Sequence, residues 1–206
     1  MTVTLQKHKA QPRVLPNYEI DTLGAPFKVT LLDSVTLRID PVTGEEKITV
    51  PDLTGLINAV VRARVVHPQK LNGDEIKFIR NALGVKANKL AEFLTMTPEH
   101  LSRCEAGVKV MSALSERVFR LFAFFATFFA DPEEFLAKLD GSEIERKAAS
   151  KPNALQRFVT HFFTMKIVSV YDADIELHFE FTRGRSESAA EEPSSEDKEN
   201  AWMNLS

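Results

Sequence analysis

Four polar side chains within five residues carry the chemistry this sequence offers: Glu99, His100, Ser102 and Arg103. Glu99 and Arg103 stand four residues apart, so a helix over this stretch projects both from one face. A guanidinium can bridge guanine O6 and N7, and a carboxylate can accept from a cytosine amino group. His100 adds a secondary base contact and Ser102 a phosphate contact. Leu101 and Cys104 fall on the opposite, apolar side. Thr97 is a good N-cap, and Pro98 fits the first helical position, where its missing N–H would be unpaired in any case. A short polar rod on an apolar bracket is the geometry that enters a DNA major groove. Lys86, Asn88, Lys89 and Lys109 flank the rod where a duplex backbone would pass, with Thr97 and Ser102 as further phosphate contacts.

No other chemistry is spelled out. The single cysteine, Cys104, excludes an internal disulfide and a multi-cysteine zinc site, and its place on the apolar side makes it a small core residue. The five histidines (His8, His67, His100, His161 and His178) are scattered without a carboxylate at motif spacing. There is no Gly-rich phosphate loop and no nucleophile signature, so neither an enzyme nor a cofactor is expected. A formal net charge of −3 argues against indiscriminate coating of nucleic acid, though not against a local reading face. No leader pattern and no apolar run of membrane-spanning length is visible, which predicts a soluble cytoplasmic protein at the bacterial nucleoid.

The surrounding elements must position the rod. Residues 1–16, with Lys7, His8, Lys9 and Arg13 and prolines at 12 and 16, read as a flexible basic arm. Residues 17–68 read as a small antiparallel sheet plus a helix. Phe27 to Val50 alternates apolar and polar around a PVTG turn, and Pro51 to Val66 carries an apolar stripe with Arg62 and Arg64 off it. His67-Pro68 ends that helix. Residues 69–130 read as a helical DNA-binding domain. Asn72-Gly73 opens it, Ile76, Ile79 and Leu83 form one face, and Gly84 stops the first helix. A second helix packs through Leu90, Ala91 and Leu94, and Gly107 breaks the chain after the polar rod. The following helix, Ser112 to Phe129, is crowded with phenylalanine and needs burial on more than one face. Leu114, Val118 and Leu121 are expected to close the helical core, and the rest to meet the C-terminal portion or a second subunit. Residues 131–183 read as a restart at DPEEF, a charged linker at 141–152, a helix at 153–164 and a β-hairpin over Met165 to Arg183. The run SESAAEEPSSEDKENA (186–201) lacks apolar side chains to bury, and residues 184–206 read as a disordered acidic tail. The fold class expected is α+β, mainly α.

The run LNGDEIKFIRNALGV, then KLAEFL, then HLSRCEAG, resembles the helix-turn-helix of the λ-repressor-like (Xre) superfamily, above all that of the MqsA/YgiT-type antitoxins. The resemblance covers about a quarter of the chain. It implies a central five-helix DNA-binding domain, base contacts at Glu99 and Arg103, and a structural role for Glu105 together with an arginine such as Arg80. The chain departs from the pattern at Thr95-Met96, where a glycine is usual. It departs again at RIDPVTGEEKITVPD, where Asp40 and Thr43 stand in the places of a cysteine pair. The N-terminal sheet then reads as a metal-free relic of a zinc-binding domain.

The expectation is a sequence-specific regulator of transcription, acting as a homodimer on a palindromic operator, in a bacterial, phage or mobile-element setting. Two alternatives stand beside it. One is an antitoxin that masks a toxin and represses its own operon; the other is a protein-interaction module that kept the fold without binding DNA. The dimer contact could lie on the helix at 52–66, the Phe-rich helix or the C-terminal hairpin.

Overall fold

The computed structural model describes residues 12–40, 43–127, 176–183 and 202–205. Most of the expected basic arm, the restart at 131–135, the linker, the helix at 153–164, the first strand of the expected hairpin and most of the acidic tail lie outside them, as do Phe128 and Phe129. Among the described residues are five helices and one five-stranded sheet, a mixed α and β chain. The strands are β1 (Arg13–Glu19), β2 (Lys28–Ile39), β3 (Glu46–Thr49), β4 (His178–Arg183) and β5 (Trp202–Asn204). The helices are α1 (Leu53–Val66), α2 (Gly73–Ala82), α3 (Ala87–Phe93), α4 (Pro98–Glu105) and α5 (Ala113–Ala126). The chain divides into two compact units. Met1–Leu23, Phe27–Leu56 and Leu177–Ser206 form one, and Gly24–Pro26 with Ile57–Glu176 the other.

The first unit is the sheet, and β2 is its hub. β1 runs antiparallel along one edge of β2, while β3 (antiparallel) and β4 (parallel) share the other. β5 then pairs antiparallel with β4. The register sets Val29 opposite Phe179 and Leu31 opposite Phe181, and all four are buried. Phe27 meets Phe179 edge to ring at 5.3 Å. Trp202 is buried, and its indole Nε1 donates to the Asp52 carbonyl at 3.1 Å. The Asp52 side chain caps the start of α1 by accepting from the Gly55 amide at 3.0 Å. Asp40 and Thr43 are tied together in the β2–β3 turn, where Asp40 Oδ1 accepts from the Thr43 amide at 3.2 Å.

This sheet differs from the expectation in three places. Residues 13–16, expected in the arm, are the first half of β1. Residues 178–183, the second strand of the expected C-terminal hairpin, lie parallel to β2, about 150 positions earlier in the chain, a pairing the alternation did not indicate. Residues 202–204, expected in the acidic tail, close the sheet as β5. β1 and β5 pair with the strands next to them in sequence, β2 and β4, whereas β4 is completed by a partner remote in sequence. A local pattern of alternation cannot name that partner.

The second unit is helical. Its core collects Val60, Val61 and Val65 of α1, Ile76, Phe78 and Ile79 of α2, Leu90 and Ala91 of α3, Leu101 and Cys104 of α4, and Phe119, Phe122 and Ala123 of α5. Two expectations are corrected. Arg64, expected off the apolar stripe, is fully buried, and Leu114, expected in the core, is 73% exposed. The cause is shared. Glu116 and Arg120, one turn apart on α5, face inward with Phe119 and Ala123, so the buried side of α5 is rotated away from Leu114. Val118 and Leu121 are left half-buried.

The inward charges form one network. Arg64 makes a two-pronged contact with Glu75, Nε to Oε1 at 2.6 Å and Nη2 to Oε2 at 2.8 Å. Lys70 Nζ and Arg120 Nη2 both reach Glu116 at 2.8 Å. The remaining guanidinium and ammonium donors find backbone carbonyls of Val65, His67, Gln69, Lys70 and Met111. Buried charge is tolerated only when paired and fully hydrogen-bonded, and here the 64–71 crossover is folded around the charges that satisfy it.

Candidate nucleic-acid interface

Three helix ends decide how α4 is held. α2, α3 and α4 each stop with a residue in the left-handed region: Gly84 at φ 69°, Thr95 at φ 52° and Gly107 at φ 71°. Each end is closed by the same pair of reversed backbone bonds. After α2, Gly84 N–H donates to Asn81 O and Val85 N–H to Arg80 O. After α3, Thr95 N–H donates to Glu92 O and Met96 N–H to Ala91 O. After α4, Gly107 N–H donates to Cys104 O and Val108 N–H to Arg103 O. Two of these positions carry glycine, which reaches positive φ without strain; Thr95 reaches it at a cost. The turn expected to need a glycine therefore keeps glycine's geometry without the residue.

α4 begins as its sequence dictates. Thr97 is the N-cap, its Oγ1 accepting from the His100 amide at 3.2 Å, and Pro98 occupies the first turn. Leu101 and Cys104 are buried, while Glu99, Ser102 and Arg103 are exposed and His100 is half-buried. Glu99, Ser102 and Arg103 thus stand together on the solvent side of one two-turn helix. Lys86, Asn88 and Lys89 at the start of α3 are exposed, as are Thr97 and Lys109. Between Leu71 and Ser112 five exposed cations (Lys77, Lys86, Lys89, Arg103 and Lys109) outnumber three exposed anions (Asp74, Glu92 and Glu99), so this stretch is locally positive on a chain that is negative overall.

Two contacts fix the inner side of α4 to α2. Arg80 grips Glu105 with Nε to Oε1 at 2.6 Å and Nη2 to Oε2 at 3.0 Å, while its Nη1 donates to Val85 O at 3.1 Å. Glu105 is thereby held inward and does not stand with Glu99 and Arg103. The second contact is a close backbone approach at Gly73. A Cβ there would lie 2.5 Å from Cys104 O and 2.6 Å from Glu105 O, so only glycine lets the start of α2 abut the end of α4. Asn72 and Glu75 cap α2 reciprocally, each side chain accepting from the other's backbone amide at 2.8 Å.

The electrostatics keep the inner side inert. Burial pushes the Cys104 thiol up, with Lys109 opposing and Glu105 reinforcing, so the sulfur stays protonated as a packing group. Burial also lowers His67, and Arg64 and Arg120 lower it further against Glu75, so the imidazole is neutral beside the buried cations. Arg62, half-buried and donating to Thr127 Oγ1 at 3.3 Å, is pushed down to about 10 by desolvation.

Sequence reasoning passed over Lys77, the Asn72–Glu75 cap and the buried charge network, and it read Gly73 as the opening of the domain without its close approach to α4. The cap was visible as Asn and Glu three residues apart just before an apolar run. The network had no local signal, since most of its partners lie 11 to 55 residues apart.

Comparison of this chain with protein-family models, with curated proteins and with solved structures finds no match.

Proposed function

We propose that the helical unit binds duplex DNA sequence-specifically, laying α4 in the major groove, and that the protein regulates transcription as a homodimer on a palindromic operator. The observation that carries this reading is the two-sided construction of α4. Its apolar side and Glu105 are fastened to α2, while Glu99, Ser102 and Arg103 stand free in solvent on the other side. In this reading Arg103 bridges a guanine edge, Glu99 accepts from cytosine, and His100 adds a base contact. Lys86, Asn88, Lys89, Thr97, Ser102 and Lys109 touch phosphates and set the register of the rod. A λ-repressor-like arrangement is consistent with α2, α3 and α4 following one another through tight turns.

The test is operator selection from random duplexes, followed by titration at fixed salt. Wild type should select a short palindrome, and Arg103→Ala should lose about 1–3 kcal/mol of discrimination at one base pair in each half-site. Affinity should fall steeply as salt rises. Failure to select any sequence, or an Arg103→Ala protein as discriminating as wild type, refutes the reading.

A second reading has its own observation. Glu99 is exposed at the outermost turn of α4, where a carboxylate repels phosphate, and the whole chain carries −3. A protein partner such as a toxin, met through the same face, would bind with weak salt dependence and leave no footprint on DNA.

A further inference from the structure

The described helices do not all begin alike. The residues at the cap positions of α2, α3, α4 and α5 (Asn72, Lys86, Thr97 and Ser112) hold extended backbone, with φ between −86° and −62°. α1 is entered through Asp52, which stands in the left-handed region at φ 46°. Its backbone carbonyl accepts the first intrahelical bond, from the Leu56 amide at 3.0 Å, and its Oδ1 accepts from the Gly55 amide at 3.0 Å. Asp52 thus serves as an N-cap from a conformation that an N-cap does not need. Aspartate reaches positive φ only at a cost, and such a residue persists where its surroundings hold it. A contact from the far end of the chain does so. Trp202 Nε1 donates to the same Asp52 carbonyl, at 3.1 Å. Apart from that contact β5 is weakly held. It is three residues long, lies at the end of the sheet and pairs with β4. Of residues 202–205 only Trp202 is buried, while Met203 and Leu205 are 47% and 55% exposed. A short terminal strand with a single buried side chain belongs to the low-stability end of a structure.

We infer that β5 is a releasable strap whose docking sets the backbone of Asp52, and with it the direction in which the chain enters α1. With the strap docked, Trp202 pins the Asp52 carbonyl and the residue stays left-handed. With the strap released, Asp52 relaxes to the extended conformation of the other four caps, which turns Val50 and Pro51 relative to the first turn of the helix. The two states differ by one backbone rotation and one buried side chain. Ordering of a short segment, coupled to a discrete backbone change, is a recognised form of switch. The division between the two compact units falls inside α1, between Leu56 and Ile57, so the switch lies one helical turn ahead of that crossing. Strap and cap act alike whether or not the helical unit binds DNA.

Trp202 is the sole tryptophan, so its fluorescence reports the strap alone. In a urea titration of the full chain its emission should shift to the red before the far-ultraviolet circular dichroism changes. Amide hydrogen exchange, followed residue by residue by NMR, gives the second measurement. Trp202→Phe keeps an aromatic ring and removes the N–H donor. It should speed exchange at Gly55 and Leu56 by about fivefold or more and shift the Asp52 and Leu53 resonances, while residues 29–31 in the middle of the sheet keep their wild-type protection. In an Asp52→Gly background, where positive φ carries no strain, Trp202→Phe should shift Leu53 far less. Coincident fluorescence and dichroism transitions overturn the inference, as does Trp202→Phe exchange at Gly55 and Leu56 equal to wild type. An equal loss of protection at residues 29–31 overturns it too, since β5 would then be an ordinary part of one cooperative sheet.

Discussion

Replacing Glu116 by glutamine removes one charge and almost no volume, at the point where the helical unit concentrates the most buried charge. Glu116 accepts from Lys70 Nζ at 2.8 Å, from the Leu71 amide at 2.9 Å, and from Arg120 Nε and Nη2 at 3.1 and 2.8 Å. Glu116 and Arg120 have no exposed side-chain surface and Lys70 has 6%. The cluster holds three cations (Arg64, Lys70 and Arg120) against two anions (Glu75 and Glu116), so it already leans on backbone carbonyls for the excess. Glutamine would leave three cations facing one carboxylate, and its amide N–H groups would point at donors. Breaking a buried pair from one side costs ~3–5 kcal/mol. Against a typical domain stability of ~5–15 kcal/mol that is about a fifth or more. Urea unfolding of the full chain should show the midpoint falling accordingly with the slope unchanged. Lys89→Ala provides the contrast. Its pair with Glu92 spans 3.4 Å with the two side chains 57% and 75% exposed, so the loss should stay at ~0.5 kcal/mol or less. If Glu116→Gln costs no more than Lys89→Ala, the network does not hold the 64–71 crossover and the reasoning fails.

Gly73→Ala should destabilise by ~1–3 kcal/mol in thermal unfolding even though alanine is the better helix former by ~1 kcal/mol. The new methyl would sit at 2.5–2.8 Å from backbone atoms of Cys104, Glu105 and Gly107, none of which can rotate away, and an unchanged Tm would contradict the close approach. Thr95→Gly should do the reverse. Releasing a left-handed threonine at φ 52° gains ~1–2 kcal/mol and glycine's freedom in the unfolded chain takes back ~0.4–1, so any measured loss of stability would count against strain in that turn. His67 makes stability pH-dependent. Burial and the neighbouring Arg64 and Arg120 hold its folded pKa below 6.5, so the unfolded chain takes up the proton first and stability falls as pH drops below 6.5. Urea midpoints of His67→Gln should fall less steeply over that range; parallel slopes would remove His67 as the cause.

The legible parts of the chain were those whose partners are near in sequence. Thr97 and Pro98 announce the start of α4, Leu101 and Cys104 its inner side, and Gly84 and Gly107 the ends of α2 and α4, because caps and helical periodicity act over one turn. The inward place of Glu105, held by Arg80 from α2, was implied only by the resemblance. Arg64 and Glu116 were not legible. Their types argue for solvent, and burial follows only once two other charges and several carbonyls arrive from distant residues. Leu114 was misplaced as a consequence, since periodicity counts apolar residues and the inner side of α5 is partly ionic. β4 and β5 announced alternation and composition, respectively, but neither names its partner, β2 for β4 and β4 for β5.

The parallel pairing of β4 with β2 has a consequence for how the chain matures. β1, β2 and β3 leave the ribosome first, yet Val29 and Leu31 acquire Phe179 and Phe181 only after some 150 further residues have been made. The helical segment, with its many short-range contacts, is free to complete itself during that interval, whereas the half-built sheet waits with an open strand edge. Synthesis interrupted before Leu177 would release a chain with its helices assembled and a sticky β2 edge, a species prone to aggregate through the strands and not through the helices.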